Sequence, residues 1–337
     1  MQQAPDVTTL QHVAERAGVS RATASLALSG KGRIAPATRQ RVKDAADELE
    51  YVVNVTARNL RSSRSGAIGL YVPDHTLSFR YYMDVAFGAV EEAQASDLLV
   101  TLMPTAFSPR SGITEHLDGF IMIDPIDDDP IVRRLLAGRS PVVSGEDAPA
   151  DAEEPYGVVY GDHHRGIRLL LDHLWENGCR RPACLLPDRS IAWGRGMQDG
   201  YREWCAEKGV EERLLVGGFQ STIDDARGMI DGLLNSLDGV DGIITAPEGT
   251  ALVALDAIRS AGLEIGRDLL LASYVDSDSL ALTEPSITAL DLQAREFGRQ
   301  CMQLLADSLD GGSRRGERVE VAISVIERRS TRRIPQP

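Results

Sequence analysis

Val13-Ala14-Glu15-Arg16-Ala17-Gly18-Val19-Ser20-Arg21-Ala22-Thr23-Ala24-Ser25 is the stretch that decides how the N-terminal end of this chain folds. Apolar residues recur with the period of a helix over residues 10–17, and Gly18 is placed to end that helix in a left-handed turn. Ser20 then occupies the cap position of a second helix over residues 21–28. The sequence therefore predicts two short helices that meet across a tight turn.

Further helices are predicted downstream of this pair. A third helix begins with Pro36 near its first position and runs to Leu49, with an apolar stripe against which the first two helices pack. Residues 54–61 predict a fourth, very short helix capped by Asn54, followed by a flexible stretch. Because two turns of helix are unstable in isolation, we expect this fourth helix to fold only with a partner.

Charge is distributed unevenly along the 337 residues, whose net charge is −14. Residues 1–65 hold ten Lys or Arg and six Asp or Glu, a net charge of +4, whereas the remaining residues hold 26 and 44, a net charge of −18. A basic head thus precedes an acidic body. We expect only the head to meet a polyanion such as nucleic acid, while the body repels it.

From Ala67 onward, short apolar strands alternate with amphipathic helices, which predicts parallel sheets. The segment Leu117-Asp118-Gly119-Phe120-Ile121 is echoed by Val240-Asp241-Gly242-Ile243-Ile244, as expected if two similar lobes each place a strand in the same way. In such sheets the carboxyl ends of the strands line a crevice, so two lobes imply a ligand cleft between them. The predicted elements are strands 67–73, 98–103, 119–124, 141–144, 183–186, 242–246 and 269–274, and helices 81–95, 130–138, 164–177 and 249–261.

Composition excludes several classes of protein. No apolar run is long enough to span a bilayer, and the N-terminus lacks the pattern of a signal peptide, so we expect a cytoplasmic protein with no membrane partner. The four cysteines form no CxxC pair and no zinc spacing, which favours buried free thiols and predicts no metal and no cofactor.

Several segments resemble the lactose/galactose repressor family of transcriptional regulators. Residues 13–25 are similar to the family's helix-turn-helix, residues 36–42 to its third helix, and residues 54–60 to its hinge helix. The resemblance continues through the body at Asp118-Gly119, Asp162 with Gly166, Gly200-Tyr201, Asp241-Gly242 and Arg329-Ser330-Thr331. Head, hinge and body in this order make a chance match improbable.

The resemblance implies that the second helix enters the major groove of DNA. Arg21, Ala22 and Leu26 would face base edges, with Arg21 suited to guanine. Leu26 departs from the arginine often found there, and an apolar side chain can meet a thymine methyl but cannot bond guanine. The hydroxyls suited to phosphate are those of Ser20, Thr23 and Ser25; for Ser20, capping of the helix is an equally good interpretation.

In the hinge, Leu60 resembles the family leucine that wedges into the minor groove and kinks the duplex, and the alternative is an exposed linker leucine. Arg58 and Asn54 would hold the neighbouring phosphate backbone.

The resemblance also implies an effector pocket in the cleft. Its candidate contacts are the aromatic residues Tyr81, Tyr82 and Trp193 and the acidic residues Asp124, Glu248 and Asp276. The tyrosines are equally compatible with a core role, and Asp162 with a helix cap. Met197, Pro247-Glu248 and Val275 stand where the family carries polar sugar ligands, so several usual contacts are missing.

Two rival classes fit less well. A sugar-handling enzyme is disfavoured because the chain has no GxGxxG after a strand, no phosphate loop, no GxSxG and no HExxH. The pair His163-His164 is better explained as a helix start or as solvent-facing than as a metal site. A secreted solute-binding protein would explain two lobes but not the basic head.

The sequence therefore predicts a non-enzymatic, sequence-specific DNA-binding regulator, expected to be a repressor. Its expected fold is an all-α helix-turn-helix head over residues 1–52, a hinge helix and linker over 53–66, and a two-lobed α/β effector and dimerisation domain over 67–337, of the type I periplasmic-binding-protein kind with parallel sheets. The expected partners are a palindromic double-stranded operator, a second copy of the chain, and a sugar or other metabolite. The lack of leucine heptads after residue 331 favours a homodimer over a tetramer.

Overall fold

The computed structural model describes residues 8–28, 33–51, 64–73, 76, 79–103, 113–218, 221–235, 239–312 and 315–334. The chain divides into two compact units, residues 1–65 and 66–337. Each unit is described by itself below.

The N-terminal unit is built on helices α1 (Leu10–Ala17), α2 (Arg21–Leu28) and α3 (Pro36–Glu48). Gly18 adopts a left-handed conformation with φ +62°, which turns the chain sharply between α1 and α2. The core of this unit consists mostly of small residues, which allow the three helices to approach closely: Val13, Ala14, Ala24, Ala27, Val42, Ala45 and Ala46. The three predicted helices are confirmed, whereas the predicted hinge helix lies outside the described residues.

The second unit contains two six-stranded sheets. The first, which we call the N-lobe sheet, has strands β1 (Ala67–Tyr71), β2 (Leu99–Leu102), β3 (Gly119–Ile123), β4 (Val142–Gly145), β5 (Gly157–Gly161) and β11 (Glu317–Val321) in the order β11-β5-β4-β3-β1-β2. The second, the C-lobe sheet, has β6 (Pro182–Pro187), β7 (Leu214–Gly217), β8 (Gly242–Thr245), β9 (Leu270–Ser273), β10 (Thr288–Asp291) and β12 (Ser324–Ile326) in the order β12-β10-β9-β8-β6-β7. Apart from the antiparallel β10–β12 pair, the neighbouring strands run parallel, as predicted.

Helices cover both sheets and are α4 (Arg80–Ala95), α5 (Pro130–Leu136), α6 (His163–Glu176), α7 (Ala192–Lys208), α8 (Ile223–Asn235), α9 (Thr250–Ser260), α10 (Asp278–Leu282) and α11 (Ala294–Leu309), with 3₁₀ turns at Ile113–His116 and Arg329–Thr331. The predicted helices and strands of this unit are present, with ends that differ from the predicted ones by one or two residues. None of the described helices is long and apolar enough to cross a membrane.

The repeated Asp-Gly motif has the same role in both lobes. The Asp118 carboxylate accepts the backbone N–H of Gly66, just before β1, at 2.7 Å. In the other lobe, Asp241 accepts the backbone N–H groups of Arg180 and Arg181, just before β6, at 2.7–3.0 Å. Each aspartate thus fixes the entry to the first strand of its sheet, which confirms that the two lobes place these strands alike.

The chain passes between the two lobes three times, after β5, after β10 and after β11. Gln293, which has φ +48°, lies at the second crossing, and its side-chain amide donates to the carbonyl of Ala322 at the third crossing, at 2.9 Å. These two crossings are therefore tied together.

Helices α4 and α11 pack closely through glycine. A Cβ placed on Gly88 would lie 1.9 Å from the carbonyl oxygen of Arg295, and a Cβ placed on Gly298 would lie 1.8 Å from that of Val85. The two backbones are therefore in direct contact, which only glycine allows at these positions.

Candidate DNA interface and effector cleft

Helix α2 has one buried face and one exposed face. Ala24 and Ala27 are buried against α1 and α3, whereas Arg21, Ala22 and Leu26 are exposed, Leu26 with 42% of its surface. An exposed leucine on a helix that also presents an arginine matches the expected base-contacting face. All three residues are thus outside the core of the head, and their contact with bases stays a prediction.

The hydroxyls at the start of α2 are engaged with the helix. Ser20 Oγ accepts the backbone N–H of Thr23 at 3.1 Å and lies 2.8 Å from the Thr23 hydroxyl. Capping by Ser20 is therefore part of the structure, while contact of Ser20, Thr23 and the half-buried Ser25 with phosphate stays a prediction. The hinge residues Asn54, Arg58 and Leu60 lie outside the described residues, and their roles also stay predictions.

A cavity that is partly open to solvent lies between the lobes of the second unit. It is lined by five of the six predicted effector contacts, namely Tyr81, Tyr82, Asp124, Trp193 and Glu248. The carboxyl-end loops of strands from both sheets meet there, as the fold class implies. Its other walls are largely apolar and include Phe79, Leu185, Ile223, Ala226, Met229, Val275 and Leu292.

The two tyrosines stand at the start of α4, and their rings meet edge to face with centroids 5.3 Å apart. The hydroxyl of Tyr82 donates to the Asp124 carboxylate, which follows β3 and is 5% exposed. Burial, followed by the nearby Glu146 carboxylate, raises the pKa of Asp124 from its usual range to about 7. Asp124 therefore changes charge near neutral pH.

Glu248 joins the two lobes. It follows β8 in the C-lobe, and its carboxylate accepts the backbone N–H groups of Arg80 and Tyr81 at 3.0 and 3.1 Å. These groups are the unsatisfied donors at the beginning of α4, where the helix dipole also favours negative charge. Glu248 therefore lines the cavity and caps the helix that carries both tyrosines.

Sequence reasoning did not assign His163, Glu146 or Tyr274 to the site, although His163 and Tyr274 line the cavity and Glu146 contacts His163. His163 Nε2 lies 3.0 Å from Glu146 Oε1, and its Nδ1 lies 2.8 Å from the Tyr274 hydroxyl. Burial lowers the pKa of His163, but the surrounding carboxylates, first Glu146 and then Asp124 and Asp162, together outweigh that effect, and the net pKa is raised. The prediction that His163 starts a helix is confirmed, but its ring is buried instead of facing solvent because it bonds with both of these groups.

The remaining predicted contact, Asp276, does not line this cavity. Its carboxylate forms a two-pronged ion pair with Arg328, with N–O distances of 2.6 and 2.9 Å. Asp276 lines a separate polar groove that also includes Arg80, Asp278 and Arg295. Asp162, as anticipated, caps α6 by accepting the backbone N–H of Arg165 at 2.9 Å.

Comparison with known proteins agrees with this arrangement. The family described as bacterial regulatory proteins, lacI family, matches residues 9–54, and the periplasmic binding protein-like domain matches residues 171–331. The chain is 29% identical over 332 residues to the HTH-type transcriptional regulator CelR of Thermobifida fusca, covering 96% of this chain and 98% of that protein. It is 28% identical over 317 residues to the maltose regulon regulatory protein MalI of Escherichia coli, covering 86% and 89%.

Solved structures show the same fold. A complex of the transcriptional regulator CelR with cellobiose matches with a TM-score of 0.71 and 27% identity, covering 96% of this chain and 99% of that one. The lac repressor dimer bound to operator and an anti-inducer matches with a TM-score of 0.74 and 22% identity, over the same shares of both chains. The head of the chain thus carries the helix-turn-helix of the lacI family of bacterial regulatory proteins, and much of its two-lobed α/β unit matches a periplasmic binding protein-like domain.

Proposed function

We propose that this protein is a cytoplasmic transcription regulator that binds a palindromic operator as a homodimer and responds to a small molecule held between its lobes. The observation that carries this proposal is the presence, in one chain, of a helix-turn-helix head with an exposed Arg21 face and of a body with a cavity between two lobes. The domain boundaries that go with it are residues 1–52, 53–66 and 67–337.

Operator recognition rests on the exposed face of α2. Arg21 is suited to a two-pronged bond with guanine, and Leu26 to contact with a thymine methyl. Ser20, Thr23 and Ser25 fix the register on the phosphate backbone. In the hinge, Asn54 and Arg58 hold the backbone while Leu60 enters the minor groove.

The second copy of the chain is proposed to dock on an apolar face of the N-lobe. Met83, Phe87 and Val90 are exposed along one side of α4, and Leu99 and Leu102 are exposed on the neighbouring edge strand β2. Because five exposed large apolar side chains on adjacent elements are unusual for a monomer, this face supports a dimer. A second copy brings two heads to one operator, as a palindrome requires.

We propose that effector binding controls DNA binding by moving the two lobes. Closure around an effector changes the distance between the two hinge segments of the dimer, and their fit in the minor groove changes with it. The cross-lobe contact of Glu248 with the start of α4 supports this coupling, since that bond must change when the lobes move.

Selection of binding sequences from a random duplex pool tests the proposal. We expect an imperfect palindrome with half-sites about one helical turn apart, a steep decrease of affinity with salt, and weaker binding by Leu60→Ala. Failure to enrich any sequence, with and without pooled metabolites, would contradict the regulator.

A deletion separates the regulator from a solute-binding protein. Removal of residues 1–65 should abolish DNA binding and leave ligand binding intact in a regulator, whereas a solute-binding protein would keep its whole function.

A further inference from the structure

The cavity between the lobes has an unusual balance of charge. Two carboxylates, those of Asp124 and Glu248, lie in its wall, and none of the described lining residues is a lysine or an arginine. A phosphate or carboxylate ligand would therefore meet two carboxylates, and His163, the one basic side chain in the described lining, is already paired with Glu146.

Of the two carboxylates, Asp124 is the less compensated. Glu248 is stabilised by the backbone donors at the start of α4, and Glu146 by His163 and by the backbone N–H of Gly161. Asp124 accepts the Tyr82 hydroxyl and is attracted by His163, but its burial and the repulsive Glu146 carboxylate outweigh both of these effects. A buried carboxylate in this position is stabilised by a positive charge that arrives with a ligand.

Aromatic side chains line the same cavity. Phe79, Tyr81, Tyr82, Trp193 and Tyr274 all line it, and Phe79 and Tyr82 have ring centroids 6.5 Å apart. The faces of such rings attract cations, and several rings with one carboxylate form the kind of cage that recognises ammonium groups.

The rest of the cavity suits an apolar body better than a polyol. The hydroxyl of Thr222 donates to Asp225, and that of Thr250 donates to the carbonyl of Pro247. Leu185, Ile223 and Met229 supply apolar surface beyond them. A ligand with an apolar body would bury this surface, whereas added hydroxyls would meet two threonine hydroxyls that are already engaged.

We propose that this cleft binds an organic cation, a protonated amine carried on an aromatic or aliphatic body, whose ammonium group lies against Asp124 and the aromatic rings. This inference rests on the proposed effector role of the cleft and names the chemistry of that effector.

The test compares ligands that differ in charge but not in shape. Phenylethylamine, phenylethanol and phenylacetate form one set, and hexylamine, hexanol and hexanoate form another, with cellobiose as a neutral sugar. Binding to the full chain is measured by calorimetry and by thermal shift. We expect an amine to bind at least about tenfold more tightly than its alcohol, and neither carboxylate to bind.

Two variants test whether the amine binds at Asp124 and the aromatic rings. Asp124→Asn should weaken amine binding at least about tenfold and leave alcohol binding unchanged, whereas Asp256→Asn, which removes an exposed carboxylate on α9, should change neither. Tyr81→Leu removes one ring and should weaken amine binding several-fold with the carboxylate in place. In the wild type, amine binding should tighten as pH rises from 6 to 8, as Asp124 ionises.

The proposal is overturned if no amine binds, if cellobiose or an alcohol binds as tightly as the best amine, or if Asp124→Asn and Tyr81→Leu both bind amines like the wild type. Operator selection distinguishes failure of this proposal from failure of the proposed function. If a palindrome is enriched but no amine binds, the protein is a regulator whose effector belongs to another chemical class.

Discussion

Gly88→Ala offers a direct test of the packing that positions the effector cleft. The added methyl carbon would lie 1.9 Å from the carbonyl oxygen of Arg295, far inside van der Waals contact, and the obstacle is backbone and cannot rotate away. Helices α4 and α11 must therefore separate by more than 1 Å. Overpacking of this kind costs about 1–3 kcal/mol, and the better helix propensity of alanine returns up to about 1 kcal/mol. We expect a net loss of about 1–2 kcal/mol in the free energy of unfolding.

The same substitution elsewhere provides the control. Gly232 lies on the exposed side of α8, where an added Cβ meets nothing within 4 Å, so Gly232→Ala should stabilise by about 0.5–1 kcal/mol. Thermal melts of the two variants should therefore move in opposite directions from the wild type, each by a few degrees. Equal melting temperatures would refute the close approach of α4 and α11 on which this reasoning depends.

The remaining predictions concern assembly, DNA binding and pH. Phe87→Asp should convert a dimer into a monomer in light scattering because it places charge in the proposed apolar interface, while Asn235→Asp, which adds the same charge at an exposed site on α8, should not. Arg21→Ala should weaken binding to the selected operator by about 1–3 kcal/mol and relax the preference for one base pair, and uniform weakening on all sequences would contradict base readout. The raised pKa of Asp124 means that the folded state holds a proton there that the unfolded state releases, so this group destabilises the fold as pH rises towards and through about 7. Asp124→Asn should therefore raise the melting temperature at pH 8 and change it little at pH 4, and an equal effect at both values would exclude this linkage.

The fold could be predicted from the sequence because the residues that define it act locally. Glycine at position 18 and serine at position 20 define the turn and the start of α2 without reference to the rest of the chain. The repeated Asp-Gly motif was also informative, since each copy bonds the chain just before the first strand of its own sheet. Patterns that act within one element or one lobe can be recognised by periodicity and spacing.

The contacts in the cleft were harder to predict from the sequence because they join distant parts of the chain. His163 and Tyr274 are 111 residues apart, and no periodicity relates them. Asp276 looked like a ligand contact from its position after a strand, but Arg328, 52 residues later, holds its carboxylate. Spacing identifies which loops reach the sheet edge, whereas the pairing of charges among those loops depends on their three-dimensional arrangement.

The three crossings between the lobes have a consequence for synthesis of the protein. Helix α11 and strand β11 belong to the N-lobe, but they follow nearly all of the C-lobe in the chain. As a nascent chain leaves the ribosome, the N-lobe sheet therefore lacks an edge strand and a covering helix until almost the whole protein has emerged. During that interval the apolar side of α4 that later packs on α11 is open to water. Chains that stop before residue 294 would expose this surface permanently and are expected to be substrates for chaperones and proteases.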